Sequence, residues 1–515
     1  MRPNWKGFCR GMLFCGASSI ASAAAMDMRL IDAARKDDLE AARAALAQKA
    51  GVNATQADGA TALHWAAHRN DLPLVDLLIK SGANVNAAND TGATPLFLAC
   101  VNRSAPVVER LLAAGADAKA KLLNGETALM TCARTGEVKT VKALLAKGAE
   151  VNAKESAHQQ TALMWAAAQG HADVVALLIE FGADVKARST VYTQTVVDEN
   201  TQRSGREKLN YDVQRGGATA LLFAARNGDV ESARVLLAHG ADPSDRQPDG
   251  LTAVQLAAYS GQEKVGILLL DKGADPNPAD IGYTALHAAV LRSEVELVKA
   301  LLAHGANPNV KLTKGTPIRR ETTDYNLPKT LIGITPYLLA AKFCEPEAME
   351  ALAKGGADIK ATMSNGANAL MLAAGLGAGN GSRRGIAAID FGKPEPESSV
   401  LATVQMAVKL GADVNAPSPG TGDTALHTAA SQAQPSVVKF LVESGAHVDV
   451  KNQRGQTPLQ SAMEGNQRFR RQVAADDTGD DTGKRPSTAG RDATIALLRS
   501  LTGEAAPTKG EAPKK

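Results

Sequence analysis

Histidine and cysteine are the side chains of this 515-residue chain best suited to hold metal or act as nucleophiles, and their spacing decides what they can do. His64 and His68 stand four residues apart, which on a helix places both on one face within reach of a single ion. A hydrolytic zinc site of that spacing needs a glutamate directly after the first histidine; Trp65 holds the place, so the general base is missing. His239 and His304 each sit in a Leu-Ala-His-Gly run. At a helix end an imidazolium meets the negative end of the dipole, so capping accounts for both. Gly375-Leu376-Gly377-Ala378-Gly379 has the look of a dinucleotide loop, but no strand-helix-strand pattern surrounds it. Cys9 and Cys15 lie in the N-terminal segment; Cys100, Cys132 and Cys344 are scattered, with no C-x-x-C. They read as isolated thiols filling small apolar positions, with no disulfide framework, zinc site or haem attachment. No G-x-S-x-G and no Walker loop occurs. The chain is therefore expected to be no enzyme, with no catalytic residue, no metal and no cofactor.

What positions these residues is a repeat. Thr61-Ala62-Leu63-His64-Trp65-Ala66-Ala67 is followed by Leu77-Leu78-Ile79 and then Gly82-Ala83-Asn84-Val85-Asn86. The threonine returns at 94, 127, 161, 219, 252, 284, 335, 424 and 457, with Asn368 once in its place. The basic step is 32 to 34 residues; three longer steps of 58, 51 and 56 are a unit plus an insertion. Thr starts a first helix, where its hydroxyl accepts an orphan backbone N–H. Paired alanines let neighbouring helices approach, Leu-Leu pairs bury in a second helix, and a glycine such as Gly82 ends it. Trp65 and Trp165 occupy the same inward slot of their repeats and read as core. The Asx-x-Asn segment and the next glycine form a hairpin finger.

This register, with T-x-L-H nearly complete at Thr61–His64, Thr284–His287 and Thr424–His427, resembles the ankyrin family over roughly residues 28–503. The resemblance implies an all-α repeat solenoid, helix-turn-helix plus β-hairpin loop, with about eleven repeats and a degenerate N-terminal cap. Where other residues fill the histidine slot, such as Met130, Met164 or Gln255, one polar contact is weakened and not the fold.

The expected organisation follows. Residues 1–25, with Arg2, Lys6 and Arg10, no acid and small-residue cleavage sites near Ala23, read as a signal peptide. Residues 26–57 form the capping repeat: Leu30, Ile31 and Leu39 on one side, charges outward. Residues 58–503 form the array, and 504–515 a disordered tail. Insertions fall at about 189–215 and 312–332, lengthening fingers and carrying expected contact roles. Those at about 377–398 and 466–490 lie between the helices of a repeat and are expected to be disordered. An exported bacterial protein, periplasmic or secreted, is expected; a mitochondrial presequence is the alternative. Removing the three leader cations takes the net charge from +3 to near zero. That gives no support to a nucleic-acid role, and no apolar run is long enough to span a membrane.

The family resemblance implies partner binding on the concave side, through hairpin tips and positions seven and eight after each Thr. His68, Arg69, Arg134, Arg226, Asn227, Tyr259, Arg292, Lys342 and Phe343 occupy that register, and Arg319 and Arg320 lie in the second long finger. The set carries cations and no acid. The expected function is a protein-protein interaction scaffold, monomeric, whose partner offers an acidic or extended polar segment. The alternatives are an accessory or regulatory subunit of an exported enzyme and, last, an enzyme in its own right.

Overall fold

The computed structural model describes residues 28–197, 210–315, 327, 329–375, 396–464 and 489–503. The leader, Arg319, Arg320, the tail, and the greater part of the insertions at 377–398 and 466–490 lie outside the described residues. The chain divides into two compact units, Met1–Glu150 and Val151–Lys515.

In the first unit the elements are α1 (Arg29–Lys36), α2 (Leu39–Ala47), α3 (Ala62–Arg69), α4 (Leu72–Lys80), α5 (Pro95–Val101), α6 (Ala105–Ala113), α7 (Ala128–Thr135) and α8 (Val138–Ala146). Odd-numbered helices pack on odd, so α1, α3, α5 and α7 form one layer and the even helices another. The second unit begins with α9 (Ala162–Gln169) and α10 (Ala172–Glu180), then strands β1 (Val191–Val197) and β2 (Asn210–Gly216). It continues through α11 (Ala220–Asn227), α12 (Val230–Ala238), α13 (Ala253–Ser260), α14 (Glu263–Asp271), α15 (Ala285–Leu291), α16 (Val295–Ala303), α17 (Pro336–Lys342) and α18 (Pro346–Lys354). It ends with α19 (Ala369–Ala373), α20 (Glu397–Lys409), α21 (Ala425–Ser431), α22 (Pro435–Glu443), α23 (Pro458–Glu464) and α24 (Ala489–Thr502). The architecture is an all-α repeat solenoid with a single ribbon of sheet among the described residues.

Each first helix begins where the sequence places its threonine. The hydroxyls of Thr94, Thr127, Thr161, Thr219 and Thr335 accept the backbone N–H three residues on, and Asn368 does the same with its amide oxygen. The alanine pairs are fully buried at Ala66-Ala67, Ala166-Ala167, Ala224-Ala225 and Ala257-Ala258. Leu78, Leu111, Leu144, Leu178, Leu236 and Leu301 are buried in second helices, each contributing roughly 1.5–3 kcal/mol.

Fingers are stitched to the next repeat by a two-sided asparagine. Asn53 donates its amide to Gly82 O (3.2 Å) and accepts from Asn84 N (2.7 Å). Asn86, Asn152, Asn277, Asn309 and Asn415 repeat the same pair of bonds. Lys119, Lys186 and Lys360 take that place in three repeats and Ser244 in one; beside Lys119, Lys121 pairs with Glu150 at 2.8 Å.

The insertion near 189–215 is an antiparallel ribbon, β1 paired to β2 from Val191↔Gly216 to Val197↔Asn210. Isolated two-stranded hairpins are marginal in water, and the base of this one is anchored. Arg188 donates to Gly217 O (2.7 Å) and Arg246 O (3.1 Å) and pairs with buried Asp245. Thr219 Oγ1 donates to the same carboxylate at 2.5 Å. Gly216 has φ 79°, and a Cβ there would sit 1.9 Å from Thr190 O, so only glycine fits the closing turn.

One sequence reading is overturned outright. Cys100 and Cys132 are not isolated thiols; they form a disulfide between α5 and α7, with Cα atoms 5.0 Å apart.

Candidate functional site

The histidine slots are structural. His64, His287 and His427 each point Nδ1 at the backbone N–H of their own threonine and Nε2 at a carbonyl of the next repeat: Ala93, Ile334 and Gln456. An N–H on one side and a C=O on the other require the neutral ring with its proton on Nε2. Burial drives all three pKa values down, His287 to about 4. Gln255 reproduces the arrangement, its Oε1 accepting from Thr252 N and its Nε2 donating to Tyr283 O. His68 points the other way, exposed on the inner-helix face, with Asn102 Nδ2 3.2 Å from its Nδ1. His239 and His304 cap second helices as expected.

In the first unit the inner-helix face carries an aromatic-cation cluster. Trp65 is half-buried, not core, with the Arg35 guanidinium 5.4 Å over its ring and His68 edge-on at 6.1 Å. Arg69 donates to Arg35 O, and Asn102 to His68 O. Arg134 is half-buried and lies 3.9 Å from Glu126, a buried carboxylate that also accepts from Thr131 at 2.7 Å.

The second unit repeats the pattern. Asn227 Nδ2 donates to Ala168 O at 2.6 Å, and Arg292 Nη2 to Ser260 O at 3.4 Å. A Cβ on Gly261 would lie 2.2 Å from that guanidinium, so the left-handed glycine also leaves room for it. Arg226 is exposed and stacks 5.2 Å over the half-buried Phe223 ring; Tyr259 is half-buried against Tyr283 at 6.1 Å. Lys342 is half-buried, and desolvation lowers its pKa. Phe343 corrects the sequence reading. It is 3% exposed, because an apolar ring at the helix end gains by leaving water, and it presents no anchor to a partner.

The repeat, its capped first helices and the stitched fingers are now joined by a family match. A model described as ankyrin repeats, three copies, matches residues 30–121, 105–189, 204–280, 221–312 and 398–476. The chain belongs to the ankyrin-repeat family. Among curated proteins it is similar to the human ankyrin repeat and KH domain-containing protein 1 and the mouse ankyrin repeat domain-containing protein 17. Each is 49% identical over 49 residues, which is 9% of this chain and 2% of the relative. The chain thus spans a very small part of the curated relatives it matches.

Ankyrin repeats are in general protein-protein interaction modules. Among the described residues, no group of three His, Cys, Asp or Glu side chains could hold a metal ion, and no helix is long and apolar enough to cross a membrane.

The ankyrin register explains what the sequence reading missed. Position eight after the threonine (Arg69, Asn102, Asn227, Arg292) donates back to a carbonyl at the end of the preceding first helix. Such carbonyls lack an intrahelical partner, and a donor from the next repeat satisfies them. The sequence did hold the signal, since donor and acceptor lie one period apart. Trp65, Trp165 and Phe223, all four residues after the threonine and all half-buried, are the inner-face aromatics that sequence reading placed in the core or passed over.

Proposed function

We propose that this ankyrin array is a scaffold that holds a protein partner on the inner-helix face of its second unit. The observation that carries this is the row Trp165, Phe223 and Tyr259, half-exposed on the consecutive helices α9, α11 and α13, with exposed Arg226 over the middle ring. Rigid aromatics with an arginine are the groups that dominate binding energy at interfaces. Of the cations in the register set, Arg69, Arg134, Arg226 and Arg292 all touch groups of their own chain, and Arg226 is the one that does so over an aromatic ring of the row. An extended segment would lay apolar groups on the three rings and set a carboxylate near Arg226. The ribbon β1–β2, anchored immediately before α11, is proposed as a second contact.

The test is quantitative cross-linking of the full chain in its native compartment, with the captured protein identified and its yield measured. Trp165→Ala with Phe223→Ala, and Arg226→Glu separately, should each reduce capture by on the order of tenfold or more in chains that circular dichroism shows to be folded at the assay temperature. Undiminished capture by both variants would overturn the reading.

A further inference from the structure

The helices α5 and α7 each carry cysteine where other repeats carry alanine. Cys100 takes the slot of Ala67 and Ala133, six residues after the threonine; Cys132 takes that of Ala99 and Ala166, five residues after it. The two slots meet diagonally across the inner-helix interface, with Cα atoms 5.0 Å apart, inside the range a disulfide spans without moving backbone. Neither residue exposes any surface.

We propose that this bond is closed by thiol–disulfide exchange on the chain before its repeats pack, so that the array matures in an oxidising compartment. In the exchange, one cysteine loses its proton and attacks the disulfide of a donor protein or of glutathione disulfide. A mixed disulfide forms and one donor thiol leaves. The second cysteine, likewise deprotonated, then displaces the other donor thiol. Two protein thiols are oxidised by two electrons in all, and one donor disulfide is reduced to two thiols. The attack needs a thiolate and a clear approach to it. Apolar burial disfavours the thiolate and closes the approach, so the packed array offers neither. The unfolded chain offers both. A reducing cytosol would keep the pair as two thiols in alanine slots. Export, the expectation drawn from the acid-free basic leader, would bring the chain to such a compartment.

The experiment uses the full chain from the cells that make it, quenched in acid, denatured and alkylated, then reduced and alkylated with an isotopically distinct reagent. Peptide mapping should find Cys100 and Cys132 carrying the second label in equal amounts. Finding the first label on both would overturn the proposal. In Cys132→Ala, Cys100 should move to the first label; keeping the second would mean another partner and sink the pairing. For the order of events, glutathione disulfide is added to the reduced chain before or after dilution from denaturant. Closure should be on the order of tenfold or more slower once the chain has refolded; equal rates would overturn closure before packing.

Discussion

His287 is wholly out of water, and while its two hydrogen-bond partners fix its tautomer, that burial fixes its effect on stability. Burial holds its pKa at about 4, below the ordinary 6.5. As pH falls through 6.5 the unfolded chain takes up a proton that the folded chain refuses until about 4. Its contribution is therefore fully present above 6.5 and lost as pH falls towards 4, by about 3 kcal/mol. Gln255 performs the same task without titrating, so His287→Gln should change stability at pH 7 by less than about 1 kcal/mol. The drop in melting temperature between pH 7 and pH 5 should shrink in that variant. Glu294 has the opposite sign. It is 8% exposed, its Oε2 has no hydrogen-bond partner among the described residues, and burial raises its pKa to about 8, opposed by the charge of Arg292 and the backbone N–H of Glu263 and helped by the Glu263 carboxylate. The unfolded carboxyl ionises above 4.5 while the folded one keeps its proton, so stability is lost as pH rises from 4.5 to 8. Thermal melts of Glu294→Gln should match the parent near pH 4.5 and exceed it at pH 8.

At the scale of elements, the α5–α7 disulfide joins helices whose cysteines are 32 residues apart in sequence. Closing a loop of that length stabilises by about 3–4 kcal/mol in the chain-entropy account. Alanine holds slot five in every other repeat and slot six in all but two, where Val290 and Met463 stand, so Cys100→Ala with Cys132→Ala isolates the cross-link from packing. Chemical unfolding of the double variant should show that loss, and prior reduction should bring the parent to the same curve.

At the scale of the molecule, the ribbon is an addition to the array and not a part of its core. Gly217 N donates to Thr190 O at 3.2 Å, so the chain can be rejoined there with residues 191–216 removed. The shortened protein should keep its melting temperature and lose capture of the partner. If row and ribbon hold the same partner, the fold-losses of the two variants should multiply when combined. A combined loss no greater than the larger single one would separate the two surfaces.

The sequence by itself determined the period, the threonine caps and the alanine and leucine slots, because each rests on contacts within one repeat or on a register that recurs. Tertiary structure decided what depends on which slot of one repeat faces which slot of the next. Cys100 and Cys132 look scattered when counted along the chain and meet only because slots six and five lie diagonally across an interface. Arg69, Asn227 and Arg292 read as outward groups until a neighbouring helix end supplies a carbonyl for each. Phe343 holds an outward register and is buried, while Trp65 and Trp165 hold an inward one and remain half-exposed. Periodicity specifies the slot; packing between repeats sets how far each side chain is removed from water.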